Sequence, residues 1–365
     1  MRFPEFSGDW KESTIGKEFE LYSGNTPSRL DKENFVGDVN WITSGELKEH
    51  YIGDTKEKIS ESSAKENNLR LMPEGTFVIA IYGLEAEGVR STGSIITKRS
   101  TISQACMAFT PKGDISNEFM YSWYKKHGNV IGIRYAQGTK QQNLSYDIIE
   151  KFKIRYPSLK EQDKLNSFIS LLDTRIATQI RIIDKLQSLM KGLAEHLTEF
   201  TPNIKIADCL NCHSSVLQEN QVKSEGKYKV YGANGICGYN DSPAILEDAI
   251  LIVKDGSGVG NVSYASGEYS VIGTSNYLTA KSGYSLKYLY YCLMIFNFVP
   301  YRTGMAIPHI YFKDYGKSLI PCPSLDKQEQ IATLLSKIEC KIEAEKTITD
   351  SYLQQKRFLL NSMFI

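Results

Sequence analysis

An internal repeat with an offset of 166 residues constrains the fold of this 365-residue chain more than any other feature. Tyr135-Ala-Gln-Gly138 corresponds to Tyr301-Arg-Thr-Gly304, and Pro157-Ser-Leu159 corresponds to Pro323-Ser-Leu325. A repeat of this length predicts two copies of one structural unit rather than one large core. The match is clear around these motifs and weaker upstream of them. We therefore expect two similar tails that follow two diverged bodies.

Each tail has the pattern of a long amphipathic helix. Ser158 with Glu161 three residues later forms a capping-box signal at the start of the first tail, and Ser324 begins the second. Helices of roughly 40 residues are about 60 Å long, which exceeds what a small domain buries, so we expect them to pair. Apolar residues recur at steps of three, four or seven, as in a coiled-coil seam. They are Leu165, Ile169, Leu172, Ile176, Ile183, Leu186, Met190, Leu193 and Leu197 in the first tail, and Ile331, Leu335, Ile338, Ile342, Tyr352, Leu359 and Met363 in the second.

The bodies that precede the tails have a mixed pattern of strands and helices. Short β-branched and aromatic runs, at 76–82 and 249–253, lie between glycine-rich turns. Helical stretches are expected near 117–127 and 286–298. The fold class is therefore α+β, with two repeated domains joined by two long helices that pair as a coiled coil. We place the first body at 1–157, the first helix at 158–200, the second body at 201–323 and the second helix at 324–365.

The charge distribution indicates an anionic partner although the net charge of the chain is only +1. Residues 1–89 carry 10 Lys and Arg against 17 Asp and Glu, a net charge of −7. Residues 90–160 carry 12 against 4, a net charge of +8. Such segregation predicts a basic face and a separate acidic face. A solvated charge run without function is the alternative.

Other sequence features predict a cytoplasmic protein that does not enter a membrane. No apolar run approaches the ~18 residues that a membrane-spanning helix needs. The first residues of the sequence contain no apolar signal core. Seven cysteines are scattered along the chain, as expected of reduced thiols rather than a disulfide framework.

Motifs for catalysis or cofactor binding are weak. Cys209-Leu-Asn-Cys212-His213 has the spacing of a haem-attachment motif, but only Cys237 is a nearby candidate for a further zinc ligand. Asp255-Gly-Ser-Gly-Val-Gly260 follows a strand, and the residues after it continue as strand, so we predict a tight hairpin rather than a dinucleotide-binding turn. We find no methyltransfer motif, phosphate loop or His-Glu-x-x-His motif. We therefore expect no catalytic centre, no metal and no bound cofactor in this chain.

Loops of both bodies are rich in residue types that contact DNA. Arg and Lys bind guanine edges or phosphates, and Asn and Gln pair with adenine. Turns are generally rich in such residues, so each loop is weak evidence alone. The predicted DNA-contacting residues of the first body are Asn25, Thr26, Ser28, Arg29, Ser44, Tyr82, Arg90, Ser91, Thr92, Lys98, Arg99, Lys140, Gln141 and Gln142. Those of the second body are Tyr231, Asn234, Lys254, Ser257, Ser275, Asn276, Arg302 and His309.

Taken together, these motifs resemble the specificity subunits of type I restriction–modification systems over essentially the whole chain. The second body departs from the pattern, because it lacks the Gly-x-Thr-Pro-Ser turn and has Pro308-His309 where the first body has Gln142-Asn143. The two bodies are therefore expected to prefer different DNA sequences. The segments that carry the resemblance are 2–6 with Trp10, 22–28, Trp41 with 45–47, 138–145, 157–162, 172–177, 323–330 and 341–345.

The resemblance implies an adaptor for double-stranded DNA. Each body would be a target-recognition domain for one half of a split site, and the two antiparallel helices would set the length of the unread spacer. Two methyltransferase subunits would dock and bring S-adenosylmethionine for adenine-N6 methylation. Two motor-nuclease subunits, with ATP and magnesium, would join where DNA is cleaved. The alternatives are a non-catalytic repeat scaffold that binds only proteins and a stand-alone enzyme with an unrecognised site.

The repeat also predicts a polar contact between the helices. The 166-residue offset pairs Gln179 with Glu345, and both stand where the seam would otherwise contain an apolar residue. In an antiparallel pair with pseudo-two-fold symmetry, equivalent central residues meet, so these two side chains are expected to be neighbours. One polar layer in an apolar seam fixes helix register at some cost in stability. The alternative is that both side chains reach solvent at the edge of the seam.

Overall fold

The computed structural model describes residues 1–83, 91–135, 142–305 and 307–364. The chain divides into two compact units. The first contains residues 1–178 and 349–365, and the second contains residues 179–348. Each unit therefore combines one body with part of each long helix. None of the helices in these ranges is both long and apolar enough to cross a bilayer.

The first body and its helix contain twelve strands and five helices within the described ranges. In chain order they are β1 (Lys11–Thr14), α1 (Ile15–Glu18), β2 (Phe19–Ser23), β3 (Val39–Ile42), β4 (Tyr51–Ile52), β5 (Lys58–Ile59), α2 (Glu61–Glu66), β6 (Phe77–Ala80), β7 (Tyr82–Gly83), β8 (Gly93–Ile96), β9 (Ser100–Ile102), β10 (Cys106–Pro111), α3 (Asn117–Tyr135), β11 (Gln142–Asn143), α4 (Tyr146–Glu150), β12 (Lys153–Tyr156) and α5 (Leu159–Leu197).

The second body and its helix follow with nine more strands and four helices in the described part of the chain. They are β13 (Pro202–Lys205), α6 (Ile206–Cys209), β14 (Leu210–Ser214), β15 (Tyr228–Gly232), β16 (Gly235–Asn240), β17 (Ala249–Val253), β18 (Val262–Ala265), β19 (Tyr269–Val271), β20 (Ser275–Ala280), α7 (Leu286–Met294), α8 (Phe312–Tyr315), β21 (Leu319–Pro321) and α9 (Leu325–Met363).

The two bodies share a strand order that their sequences barely reveal. The main sheet of the first body has the order β2-β10-β6-β8-β4, and that of the second has the order β14-β20-β17-β18. In both bodies a smaller sheet contains a parallel pair, β3 with β9 and β15 with β19. The first strand of each body pairs with its last, β1 with β12 and β13 with β21. The duplication therefore extends through the bodies as well as the tails.

The central strands are continuous apolar runs because both of their faces are buried. In β6, Phe77 and Ile79 enter the core shared with α3, whereas Val78 and Ala80 enter a second core on the opposite face. β17 divides in the same way, with Ile250 on one face and Leu251 on the other. This arrangement confirms the strands predicted from the apolar runs.

The glycine-rich run after β17 forms the predicted hairpin. β17 and β18 pair antiparallel on either side of it. Gly260 has φ +88°, and a Cβ at this position would lie 2.9 Å from the Phe298 Cβ. Glycine is therefore required here both for backbone conformation and for space.

The long helices begin within one residue of the predicted starts, and each contains 39 residues. The Glu161 carboxylate, which the sequence analysis assigned to a capping box, is buried and accepts hydrogen bonds from Arg2 at 2.6 and 2.7 Å. In the first unit, the beginning of α5 shares a core with the end of α9 through Leu165 and Leu359. In the second unit, the end of α5 shares a core with the beginning of α9. The helices are therefore antiparallel, and the predicted seam is confirmed.

A buried glutamine attaches each body to the start of its long helix. Gln162 donates to Asp114 O at 2.8 Å and to Pro157 O at 2.9 Å, and its Oε1 accepts from the Ser116 amide at 2.9 Å. Gln328 donates to Pro323 O at 2.8 Å and accepts from the Ser285 amide at 3.0 Å. Their exposed fractions are 0% and 2%, so water does not compete for these bonds.

A second attachment in the second unit is ionic and aromatic. Lys287, the second residue of α7, lies 2.7 Å from the Glu339 carboxylate of α9. Its ammonium also lies 3.8 Å from the ring centre of Tyr264 and 4.9 Å from that of Tyr290. Cation–π attraction therefore adds to the ion pair.

The first unit has an acidic residue at both of the equivalent places, so only the charge on the body is reversed. The second residue of α3 is Glu118, which accepts a hydrogen bond from Tyr51 at 2.9 Å and lies 3.0 Å from His50 Nε2. The position on α5 that corresponds to Glu339 is Asp173, and its carboxylate lies 2.5 Å from the Lys356 ammonium.

The predicted polar contact within the helix pair is present in the second unit. The Gln179 amide donates a hydrogen bond to the Glu345 carboxylate. Glu345 is only 6% exposed, and its other oxygen lies 2.5 Å from the Lys341 ammonium one turn earlier. The side chains therefore do not simply reach solvent. Whether the contact fixes register remains a prediction.

We expect Gln162→Leu to lower the free energy of unfolding by about 2–4 kcal/mol. Each buried backbone group left without a partner costs about 1–3 kcal/mol. Urea denaturation measures the change, with the exposed Gln187→Leu on the same helix as control. Equal stability of the two variants would contradict a structural role for Gln162.

The double substitution Gln179→Leu with Glu345→Leu is expected to raise the stability of the chain. Replacing a buried polar or ionic group by packed apolar residues often stabilises by about 1–4 kcal/mol. Thermal unfolding measures the change. The exposed pair Gln187→Leu with Gln354→Leu is the control, and an unchanged or lower midpoint would show that the layer does not cost stability.

Candidate nucleic-acid interface

One edge of the five-stranded sheet carries several of the DNA contacts predicted for the first body. β10 lies between β2 and β6 and runs antiparallel to both, so the ends of β2 and β6 meet the start of β10. The Leu144 amide donates to Ile81 O at 2.8 Å, which brings β11 to the same edge. An open depression of about 480 Å³ lies there. It is lined by Ser23, Ile81, Tyr82, Gln104, Met107, Leu144, Ser145 and Tyr146.

The turn after β2 is held by its own polar side chains. The Asn25 side chain accepts from the Thr26 amide at 2.8 Å and donates to Asn67 O at 3.2 Å. Ser28 is exposed, and its carbonyl accepts from Asn34 at 3.1 Å. These side chains shape the turn, and their exposure at the surface leaves them accessible to a ligand.

Arg29 has a structural partner that the sequence did not suggest. Its guanidinium forms two hydrogen bonds with the Glu57 carboxylate, at 2.7 and 2.8 Å. It also lies 4.9 Å from the ring centre of Phe35. The hydrogen bonds with Arg29 lower the pKa of Glu57, and those with Glu57 raise the pKa of Arg29. A DNA contact by Arg29 would therefore compete with this ion pair.

The remaining serine and threonine candidates of the first body are partly buried. Ser44 begins a short 3₁₀ turn whose capping box is formed by Thr43 and Glu46. Ser91 has φ +54°, and its carbonyl accepts from the Lys125 ammonium at 2.8 Å. The Thr92 carbonyl accepts from the Ala80 amide at 3.0 Å. These residues are partly buried and bonded within the sheet edge, so they project little into solvent.

The described residues of the basic segment 90–160 do not form one continuous face. Arg155 pairs with Glu12 at 2.8 Å, and Lys125 is partly buried, which lowers its pKa to about 8. Lys98 and Arg99 are exposed, but they lie in the turn after β8. Because β8 is antiparallel to β6, this turn is at the opposite end of the sheet from Tyr82. The structure therefore separates candidates that the sequence analysis grouped together.

Some predicted residues cannot be placed. Arg90, Lys140 and Gln141 lie outside the described residues. Of Gln142 only the backbone is described, and it pairs with Gly83 in the β7–β11 ladder.

The second body brings its candidates to the corresponding edge of its sheet. An open depression of about 580 Å³ there is lined by the Gly232–Gly235 turn, which includes Asn234, and by Val253, Asn261 and Ser275 among others. Asn234 and Ser257 are exposed, and Tyr231 is half-buried with its ring edge-on to Tyr269. Arg302 is exposed and donates to Val259 O at 2.8 Å. The structure thus brings several of these loops together at one end of the sheet.

A charged cluster borders this edge. The Asp255 carboxylate pairs with the Lys254 ammonium through one oxygen, and its other oxygen lies 2.8 Å from His309 Nδ1. Partial burial alone would raise the pKa of Asp255, but the hydrogen bonds from Lys254 and His309 outweigh this effect and lower it. The carboxylate is therefore charged at neutral pH and orients both partners.

Ser275 and Asn276 correct the sequence analysis. Both lie in β20 with exposed fractions of 2% and 5%, and the Asn276 side chain accepts from Ser214 at 2.9 Å. Polar residues at the start of a central strand look like loop residues in sequence, but here they are buried within the sheet. We therefore remove their side chains from the candidate DNA contacts.

The cysteine motif does not assemble into a cluster of metal ligands. No group of three or more His, Cys, Asp or Glu residues suited to a metal occurs among residues 1–83, 91–135, 142–305 and 307–364. Burial raises the pKa of Cys209 to about 12 and that of Cys212 to about 11. His213 lies 3.1 Å from the Thr279 hydroxyl across the β14–β20 pair. These residues serve the sheet core.

The model of a protein family, described as the type I restriction modification DNA specificity domain, matches residues 7–188 and 204–351. The two matches follow the internal repeat and cover most of the chain. This chain belongs to the type I restriction–modification DNA specificity family. Its two bodies and two long helices are thus two copies of the family's domain.

Curated relatives have the same family identity. The chain is 28% identical over 185 residues to the type I restriction enzyme MjaIX specificity subunit of Methanocaldococcus jannaschii, which covers 49% of this chain and 42% of that protein. It is 22% identical over 385 residues to the EcoprrI specificity subunit of Escherichia coli, which covers 94% of this chain and 89% of that protein. The chain thus spans less than half of the first relative and most of the second.

Solved structures share the fold. The type I restriction–modification S subunit from M. genitalium aligns with a TM-score of 0.60 at 17% identity, covering 100% of this chain and 99% of that one. A chain from a structure of the complex assembly and conformational transition of the type I system aligns with a TM-score of 0.59 at 14% identity, covering 98% of each chain.

Several residues at these edges were missed by the sequence analysis. Gln104 and Tyr146 line the first depression, Asn261 lines the second, and Asp255 orients the second cluster. Gln104 lies in the turn between β9 and β10, which no local signal linked to the other candidate loops. Asp255 was assigned only to the glycine-rich hairpin, so its place beside Lys254 and His309 was not foreseen.

Replacement of Lys98 and Arg99 by Ala is expected to flatten the salt dependence of duplex binding by about one unit of slope for each phosphate that the protein no longer neutralises. The matched control replaces Lys153 and Arg155, which already pair with Glu12 and carry the same charge. Fluorescence anisotropy over a range of salt concentrations measures the slopes. Equal changes in both variants would indicate a net-charge effect rather than direct binding of phosphate by Lys98 and Arg99.

Proposed function

We propose that this chain is the DNA-specificity subunit of a type I restriction–modification complex, in which each body reads one half of a bipartite duplex site. The observation that carries the proposal is the repeated architecture. Two bodies with a shared strand order each have an open depression at the corresponding sheet edge, and each continues into a long helix. Two related but chemically different surfaces suit two different half-sites.

The long helices are proposed to set the spacer and to bind partner subunits. Exposed apolar side chains on the helices are the contacts proposed for partner subunits. Two methyltransferase subunits are the expected partners, with two motor-nuclease subunits in complexes that cleave DNA. The exposed apolar residues are Leu159, Leu171, Ile180, Ile182 and Leu189 on α5, and Leu325, Leu334, Ile348, Leu353 and Phe358 on α9.

Catalysis is assigned to those partners in this proposal. S-adenosylmethionine would be bound by the methyltransferase subunits, and ATP with magnesium by the motor-nuclease subunits. The chain itself would determine the DNA sequence at which the complex acts. It would act in the cytoplasm, where the genome is accessible.

A scaffold that binds only proteins is the principal alternative. Binding to duplex DNA that weakens steeply with salt distinguishes the two, because phosphate contacts release counterions. Turnover by the purified chain alone would instead indicate an enzyme.

Exchange of residues 201–323 for the second body of another family member is expected to change one half of the methylated site only. The other half and the spacer should be unchanged, because each body has its own sheet and core. Methylome sequencing of cells that carry the complete complex measures the outcome. The reciprocal exchange of residues 1–157 is the control and should change the opposite half, whereas a changed spacer with unchanged bases would contradict the assignment.

The Gln179→Leu, Glu345→Leu variant extends the stability prediction to function. If the polar layer fixes register, the variant should methylate sites with a wider range of spacer lengths. Selectivity for one spacer length in the stabilised variant would show that register is fixed elsewhere.

A further inference from the structure

We propose that His309 is a base-reading residue of the second body, and that its Nε2 accepts a hydrogen bond from the exocyclic amino group of adenine or cytosine in the major groove. Asp255 acts as its positioning residue. The inference rests on the proposed function, because it assumes that the second body binds duplex DNA. It assigns the Nε2 atom of His309 to bases that carry an exocyclic amino group.

The backbone around His309 is held next to Asp255 on two sides. The His309 amide donates to Thr303 O at 2.7 Å, and the Thr303 amide donates to His309 O at 2.9 Å. On the other side, the Ile310 amide donates to Lys254 O at 3.0 Å, and the Gly256 amide donates to Pro308 O at 3.0 Å. A ladder of this kind keeps the imidazole in one place before DNA arrives.

The carboxylate of Asp255 determines which ring nitrogen carries the proton. A charged carboxylate only accepts hydrogen bonds, so Nδ1 of His309 must be the donor across the 2.8 Å contact. Nε2 of the neutral ring then carries a lone pair. None of the residues that the structure describes forms a hydrogen bond with Nε2, and the side chain is 35% exposed. The ring therefore presents an oriented acceptor to solvent.

The chemistry around this acceptor selects the kind of base. In the major groove only adenine N6 and cytosine N4 are donors, and both are exocyclic amino groups. Lys254 is bound to the same carboxylate. Arg302, which precedes His309 in the same loop, is exposed. These cations favour phosphates and the acceptor atoms N7 and O6, so the cations strengthen binding and the imidazole adds selectivity.

The repeat supports a specificity role for this position. The 166-residue offset places His309 opposite Asn143 of the first body. Both residues pair with the segment that follows the central strand of their sheet, Asn143 with Tyr82 and His309 with Asp255. The same backbone position thus carries different hydrogen-bonding chemistry in two bodies that are expected to read different sequences.

The test is selection of duplexes from a randomised library by the full chain assembled with its methyltransferase subunits. The wild type is expected to select adenine or cytosine at one position of the second half-site, and the library itself distinguishes the two bases. His309→Ala should lower the preference at that position about tenfold, in line with a single good base contact. His196→Ala, an exposed histidine on α5, is the matched control and should select the wild-type site.

A base analogue tests whether Nε2 of His309 is the atom that contacts the amino group. The selected adenine is replaced by purine, or the selected cytosine by 2-pyrimidinone, so that only the amino group is removed. The affinity of the wild type should fall by the same factor on the analogue as that of His309→Ala falls on the natural site. The variant should bind the analogue and the natural site equally well. If the substitution and the analogue each lowered the affinity independently, so that their effects added, the assignment of Nε2 would be overturned.

Asp255 is tested by substitutions that separate positioning from folding. Asp255→Asn keeps an acceptor for Nδ1 and should retain the base preference, whereas Asp255→Ala should lose it. The ¹⁵N chemical shifts of the His309 ring report the tautomer, which a merely structural role would not control. Equal preference in both variants, with an unchanged tautomer, would overturn the role of Asp255.

Failure of the inference is distinguishable from failure of the proposed function. A wild-type complex that selects no sequence in either half would contradict the proposed function. A wild-type complex that selects a bipartite site, together with a His309→Ala complex that selects the identical site, would contradict the inference alone.

Discussion

A buried glutamine amide joins each body to its long helix, Gln162 in the first unit and Gln328 in the second. Both amides bond to backbone groups at the start of the helix and at the start of the body's own helix, α3 or α7. A side chain that satisfies several buried backbone groups is costly to replace and leaves little rotational freedom. The depressions lie at the far edge of each sheet, so the direction in which a body presents them depends on this attachment.

The two tails were predictable because helix periodicity and start signals are local properties of sequence. The strand order of the bodies was not, since it depends on pairings between segments far apart, such as β2 with β10. The same limit applies to the site. Arg29 looks like a DNA-binding residue until Glu57 is seen across from it, and Asn276 looks like a loop residue until β20 buries it. The sequence did not indicate a role for Asp255, which the structure places beside Lys254 and His309.

The structure combines symmetry of the backbone with asymmetry of the side chains. Strand order, the position of the short helices and the glutamine attachments are repeated. The residues at the corresponding backbone positions are not, with Asn143 in one body and His309 in the other. Even the central contact of the helix pair joins unlike residues, an amide on Gln179 and a carboxylate on Glu345. A duplicated fold can therefore carry two chemically different sets of residues while the attachment of each body stays the same.

The charges at the body–helix attachments bear on whether one body could take the place of the other. Lys287 meets Glu339 in the second unit, whereas the first unit has Glu118 on the body and Asp173, already paired with Lys356, on the helix. A first body transferred into the second position would bring an acid to Glu339, and like charges in contact are destabilising. The duplication has therefore produced two bodies that differ in electrostatic fit as well as in surface, and each body is better matched to the helix of its own position.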